Sequence, residues 1–533
     1  MYSLDYDEVT SFLGDWGPFQ VTIFILLSLS TVPNGYTGMA MVFLADTPSY
    51  RCRTSHWNGS AASLEHTWGT CSQVPALNGS SNGTGLCVDG WEYSTERYES
   101  TIVTEWDLVC ENSWKVPFSL SIFFLGVLSG SFVSGELSDR FGRKVVLFAT
   151  MAIQTLSSLI QVTSVSWEMF CVFFFLTGIG QISNYMAAFV LGCELLGKNL
   201  RVVYSVLGTC VFYALGYALL PLCAYLLRSW RLLLTVLSLP GLLYIPLWWF
   251  IPESPRWLLA KGRVQEAEDI IRAAARRNGI TPPEVIFKGS DFLLSEKSRA
   301  KNSDVSYTYM DLIRTPKMRH ITLLNGVVWF IITITYFGLS LSTPNMNGDP
   351  YLNCLLSALM EITAYVLAWI LLKLLPRRAL ITGPLLSAGL VLLLIHVVPP
   401  DYSGVTVALA MGAKLGVTAA FSVLYISAVE QFPTVVRGMG MGVCSMCSKT
   451  GSTLAPFFPY FGHYDRILPY ILMGALTVLA GLLSILMPET RGSPLPEDLS
   501  QVQTLNWCCG CCRPACSRRS CKTEKAHKLP PAV

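Results

Sequence analysis

The chain has 533 residues, 52% of them hydrophobic and only 14% charged, with a formal net charge of +3. Ordinary soluble domains carry roughly a quarter charged residues, so the composition excludes a soluble enzyme and a disordered scaffold alike. The near-neutral balance also offers no basic face for nucleic acid.

Asp5, Asp7, Glu8 and Asp15 precede the first apolar run, and the first basic residue is Arg51. That order lacks the basic start and small-residue cleavage site of a signal peptide, so none is predicted. Runs of about 20 near-uncharged residues, the length a bilayer core demands, occur twelve times. The first six cover 21–44, 116–137, 145–165, 169–193, 202–227 and 232–251. The second six cover 321–341, 351–372, 379–398, 405–429, 439–461 and 468–487. An all-α membrane protein follows, with both termini on one side. Placing them in the cytosol puts 29 of the 38 basic residues in inside loops and tail, and seven outside; Lys414 and Lys449 lie within spans. The positive-inside tendency selects that orientation.

The predicted organisation is a cytosolic N-terminus (1–20), a six-helix half (21–251) with a long outside loop (45–115), a cytosolic loop (252–320), a second six-helix half (321–487) and a cytosolic Cys-rich tail (488–533). The outside loop holds glycosylation sequons at Asn58, Asn78 and Asn82. It also holds Cys52, Cys71, Cys87 and Cys110, enough for two disulfides with three connectivities open. In the basic tail, Cys508, Cys509, Cys511 and Cys512 read as S-acylation sites in preference to zinc ligands, and no structural metal or cofactor is expected. The 252–320 loop looks helical through 264–277 and suits an anionic lipid surface.

Glu194 and Arg201 recur as Glu430 and Arg437, and Pro252-Glu253-Ser254 as Pro488-Glu489-Thr490, each 236 residues later. The chain therefore reads as two pseudo-symmetric six-helix halves, with a substrate site between them near the midplane. Gly135 to Lys144 contains two glycines, which allow helix ends to turn, and charges for gating pairs: Asp139, Arg140 and Arg143, joined by Glu194, Arg201, Glu430 and Arg437. Glu430 is expected to pair with Arg437. Gly192 to Asn199 nearly matches a phosphate-binding loop, but it follows a membrane helix and ends in Asn where Ser or Thr is needed.

The segment Gly135 to Lys144 matches the major facilitator signature. With P-E-S-P-R-W at Pro252 to Trp257, E-x-F-P-T-x-x-R at Glu430 to Arg437 and P-E-T-x-G at Pro488 to Gly492, the chain resembles solute carrier family 22. The glycosylated loop and Thr104 to Cys110 narrow the resemblance further, and Tyr6 to Gln20, Gly180 to Tyr185 and Pro246 to Trp257 look like its carnitine and organic cation branch. The resemblance implies the major facilitator fold and no enzymatic activity. It further implies sodium-coupled uptake of carnitine and related quaternary ammonium compounds at the plasma membrane; a cation uniporter or proton exchanger is the alternative. Function as a monomer is expected.

A zwitterion asks for a cation to meet its carboxylate and aromatic faces to meet its ammonium. Lys449 lies where S-K-T-G-S, Ser448 to Ser452, resembles the branch's S-R-x-G-S, and is the carboxylate candidate. Tyr213 stands 236 residues before Lys449 and, with Trp329 and Tyr336, matches aromatic positions of the family. These three form the expected ammonium box, with Tyr217 one turn from Tyr213. Pro33-Asn34-Gly35 interrupts the first span, which points to Asn34 and Asn184 for sodium and to Gln181 and Tyr185 for substrate. Glu361 and Lys414 are further intramembrane charges whose role the sequence leaves open.

Overall fold

The computed structural model describes residues 6–14, 16–53, 69, 71, 87, 90–283, 286–287, 308–399, 401–491 and 496. The sequons at Asn58, Asn78 and Asn82 and the tail cysteines Cys508, Cys509, Cys511 and Cys512 lie outside these residues.

Among the described residues the bundle contains twelve spans. The first half comprises α1, broken into Pro18–Leu29, Val32–Met39 and Met41–Leu44, then α2 (Lys115–Phe141), α3 (Arg143–Val162) and α4 (Trp167–Leu195). Its α5 joins Lys198–Val203 to Phe212–Leu226 through a π-helical stretch, Tyr204–Val211, and α6 is Trp230–Leu243. The second half comprises α7 (Pro316–Leu341), α8 (Pro350–Leu374), α9 (Arg377–Leu394), α10 (Ser403–Gln431), α11 (Arg437–Leu454) and α12 (Leu468–Ile485). Ten of the twelve contain a single helical run long and apolar enough to cross a bilayer; α1 and α11 are the exceptions.

The first span is broken at a proline, whereas α11, with Arg437 and Lys449 among its glycines, serines and threonines, is long enough but not apolar enough. Pro33 has no N–H to give the Leu29 carbonyl, and the helix lapses at Ser30 and Thr31 just before it. The Asn34 and Gly35 amides instead turn to the Thr31 carbonyl at 3.1 and 3.2 Å. The eleventh span, expected to reach residue 461, stops as a regular helix at Leu454, because Pro456 and Pro459 leave only the short turn Phe457–Tyr460 beyond it.

Within the halves, α4 packs on α2 and α3, α9 on α10 and α12, and α7 on α11. Between them, α5 meets α8 and α2 meets α11, two contacts that the internal repeat exchanges. Large apolar side chains on the outer faces, among them Phe132, Leu156, Leu222, Leu390 and Leu482, stay exposed, as a hydrocarbon surround requires.

At one end of the bundle, strands β1 (Tyr50–Cys52) and β2 (Trp91–Tyr93) pair antiparallel. Disulfides join Cys52 to Cys87 and Cys71 to Cys110, one of the three connectivities the sequence allowed. The short helix Ile102–Glu105 docks this region on α6, Glu105 accepting from the Trp230 indole N–H at 2.7 Å. At the opposite end, the expected surface helix forms as Val264–Arg277. Asn278, just beyond it, ties down the chain's start: its Oδ1 accepts from the Phe19 amide at 3.0 Å, and its Nδ2 donates to Gln20 Oε1 at 2.8 Å.

Candidate functional site

The end opposite the disulfides carries two matching ionic knots. In the first half, Arg143 reaches Glu194 at 3.1 Å, while the backbone amides of Arg143 and Lys144 donate to Glu253 at 2.9 and 3.1 Å. In the second half, Arg377 reaches Glu430 at 3.3 Å, and the amides of Arg377 and Arg378 donate to Glu489 at 3.0 and 3.1 Å. The carboxylates of Glu253 and Glu489 thus sit on the N-termini of α3 and α9, where orphan amides and the helix dipole favour an anion. Of the predicted gating residues, Asp139 also bridges to Arg143 at 2.9 Å, but its side chain is 76% exposed and the contact contributes little. The Arg140 guanidinium lies over the Phe141 ring at 5.5 Å.

The expected pairing of Glu430 with Arg437 does not form. Glu430 is taken by Arg377, and Arg437 donates to the Phe432 carbonyl at 3.3 Å and to Thr434. Arg201, its counterpart, donates to the carbonyls of Cys193 at 2.6 Å and Leu196 at 3.3 Å. Both arginines cap the carbonyl ends of the preceding helix, α10 or α4, a favourable place for a cation. Arg377, Glu253 and Glu489 were missed as partners, although the 236-residue repeat of P-E-S and P-E-T marked the two glutamates.

The signature's two glycines also differ. Gly142 has φ +103°, and a Cβ there would lie 2.4 Å from Glu253 Oε2. Gly135, expected to ease a turn, is instead inside α2 with open space around it. The near phosphate-binding loop has no cradle: the ring of Tyr204 covers Gly192, and the Cys193 and Leu196 carbonyls point to Arg201.

At the midplane, α1 and α5 touch backbone to backbone. A Cβ on Gly35 would lie 2.0 Å from the Tyr213 carbonyl oxygen, and one on Gly216 would lie 2.1 Å from the Val32 carbonyl oxygen. This crossing presents the broken segment of α1 to α4. Asn34 donates to Asn184 Oδ1 at 3.1 Å, Gln181 donates to the Asn34 carbonyl at 2.6 Å, and Asn184 donates to the Leu147 carbonyl at 3.2 Å. The buried Asn34 Oδ1 has no hydrogen-bond partner, so it keeps lone pairs for a hard cation. The Tyr213 hydroxyl and the Gln181 amide converge over Gly38, each 3.0 Å from where its Cβ would be. Tyr185 is half-buried one residue beyond Asn184.

In the second half, Lys414 of α10 pairs with Glu361 of α8 at 2.9 Å, the two side chains 2% and 0% exposed. The Lys414 ammonium lies 4.4 Å from the Tyr336 ring centre and 5.6 Å from that of Tyr217, and it also bonds Ser340. Tyr336 donates to Glu361 at 2.6 Å, and Tyr217 donates to Ser357 at 3.1 Å, joining the halves. One member of the expected ammonium box, Tyr336, and the neighbouring candidate Tyr217 therefore already face the protein's own cation. Trp329 does not face Lys414 but lies 4.3 Å from Tyr425 and 5.8 Å from Phe421, whose ring is also 5.7 Å from that of Tyr336. Phe421 and Tyr425 escaped the sequence reading, although they stand one turn apart on the helix that carries Lys414.

Lys449 is half-buried on α11. Its neighbour Ser448 bonds Thr333 of α7 at 2.9 Å. Among the described residues Lys449 has no ion pair, whereas Lys414 has one. The structure thus assembles the Asn34, Gln181, Asn184 and Tyr213 group and the Tyr217, Tyr336, Lys414 and Glu361 group, and of the two intramembrane lysines it leaves Lys449 without an ion pair among the described residues.

Residues 90–498 match the family described as sugar (and other) transporter. Over 528 residues the chain is 51% identical to human organic cation/carnitine transporter 2, covering 93% of this chain and 94% of that protein. It is likewise 51% identical over 529 residues to mouse solute carrier family 22 member 4, covering 94% and 95%. The fold superposes on the inward-open xylose transporter XylE from E. coli with a TM-score of 0.62 at 16% identity, covering 91% of this chain and 99% of that one.

Proposed function

Because the chain belongs to solute carrier family 22 of the major facilitator superfamily, and so is a membrane transporter and not an enzyme, we propose that it imports carnitine and related quaternary ammonium zwitterions across the plasma membrane, driven by sodium. The unpaired Lys449 carries this reading. An intramembrane cation without a carboxylate of its own is costly unless a substrate carboxylate meets it during the cycle. Tyr213, Trp329, Tyr336 and Tyr217 supply aromatic faces for the ammonium, and Gln181 and Tyr185 supply polar contacts. Asn34 and Asn184 supply oxygens for sodium. The ionic knots around Arg143 and Arg377, with Asp139 and Arg140 beside them, act as the cytosolic gate. Arg201 and Arg437 support it by holding the ends of α4 and α10. Both termini are cytosolic on this reading, which the basic-residue asymmetry and the sequons on the disulfide-bearing side support. The monomer is the functional unit, and lipid is its surround.

A second reading is a cation uniporter or proton/cation exchanger. Glu361 favours it, since its buried Oε2 has no hydrogen-bond partner and is placed to take a proton or an organic cation. Uptake of radiolabelled carnitine and of tetraethylammonium, each with and without sodium, separates the two. Lys449→Ala is expected to lower carnitine uptake at least about tenfold, the loss of one charge-assisted hydrogen bond, and to spare tetraethylammonium. Equal loss of both at normal surface levels removes the carboxylate role, and absence of carnitine uptake under any gradient removes the importer reading.

A further inference from the structure

At the disulfide-bearing end, one ring from the second half is inserted among three elements of the first. Tyr351 occupies the first turn of α8, its amide donating to the Asp349 carboxylate at 2.8 Å, so the helix start holds it in place. The ring stacks on Phe43 at the end of α1, with centroids 5.3 Å apart and planes 11° apart. It meets Tyr225, near the end of α5, edge-on at 5.6 Å, and lies 6.2 Å from Tyr98. Its hydroxyl donates to the Arg97 carbonyl at 3.4 Å. Deeper in the bundle on the same side, Phe124 of α2 meets Phe337 of α7 at 4.8 Å, and Ser121 donates to the Thr453 carbonyl at 2.7 Å.

We propose that Tyr351 is the latch of the outer gate: its withdrawal from the pocket formed by Phe43, Tyr98 and Tyr225 opens the midplane site to the disulfide-bearing side. The inference rests on the transporter reading and on the disulfide-bearing end facing outward. Loss of apparent mass on enzymatic deglycosylation of surface protein tests that orientation separately.

The test uses native Cys354, buried on α8 one turn beyond Tyr351. In cells expressing the full chain, its modification by a membrane-impermeant charged thiol reagent is taken as the labelling lost in Cys354→Ser. Tyr351→Ala is expected to raise the rate about tenfold, the scale set by losing a stacked pair and its buried surface. Tyr351→Phe is expected to leave the rate near that of the parent. Phe43→Ala, which removes the other face of the stack, is expected to act like Tyr351→Ala and serves where that variant fails to reach the surface. Unchanged labelling in Tyr351→Ala or Phe43→Ala at normal, glycosylated surface levels overturns the latch.

Discussion

Lys414 and Glu361 illustrate how a charge survives in a bilayer core. Each is all but sealed from solvent, and each has the other at 2.9 Å with two tyrosine rings around the ammonium. Removing one partner strands the other, which typically costs about 3–5 kcal/mol, while replacing both by apolar groups of similar volume is often neutral. Lys414→Met is therefore expected to lower the thermal midpoint of detergent-purified protein sharply, and Lys414→Met with Glu361→Leu is expected to recover most of the loss. A double variant no more stable than the single one would assign the stability to something other than charge pairing. Both residues stood out in the sequence as intramembrane charges, but they are 53 positions apart on different helices, so their pairing depends on α8 packing against α10. The same holds for Phe421 and Tyr425, whose importance comes from Trp329 lying against them.

At the scale of elements, the crossing of α1 and α5 depends on a missing side chain. A methyl group at Gly35 would meet the Tyr213 carbonyl at 2.0 Å, and backbone cannot step aside as a side chain can. Gly35→Ala is expected to destabilise by about 1–3 kcal/mol or more through overpacking. It should also displace Tyr213 from its position beside Gln181, lowering uptake. Gly135→Ala, inside α2 with no atom near the new methyl, is expected to be neutral or to stabilise by up to about 1 kcal/mol. Thermal midpoints of the two variants measured side by side check this contrast. If Gly135→Ala proves the worse of the two, then Gly135 is needed in another conformation of the cycle. The break in α1 was legible from Pro33-Asn34-Gly35, because proline acts on its own helix. The contacts of Gly35 were not, because they belong to a helix nearly 180 residues away.

For the molecule as a whole, the repeat shows as two ionic knots that share no residue. Arg143 gathers Glu194, with Glu253 on the adjacent amides, and Arg377 does the same with Glu430 and Glu489. Arg143→Ala and Arg377→Ala are expected each to lower the thermal midpoint, and the double variant to lose the sum of the two within about 0.5 kcal/mol, as separate sites do. A large departure from additivity would mean that the halves are coupled at this end.

Span number, the two-half construction and the intramembrane charges were legible in the sequence because their causes act on one span at a time. Hydrocarbon selects an apolar length, a proline interrupts its own helix, and a duplicated half repeats its motifs at a constant offset whatever it packs against. Partner choice was decided only by the tertiary structure. The disulfide pairing, the union of Glu430 with Arg377 and not Arg437, the capping role of Arg201 and Arg437, and the meeting of Lys414 with Glu361 while Lys449 stays unpaired all depend on which distant helices share a face. Hydrogen bonds and ion pairs form over about 3 Å, and only the packed bundle brings residues tens or hundreds of positions apart within that reach.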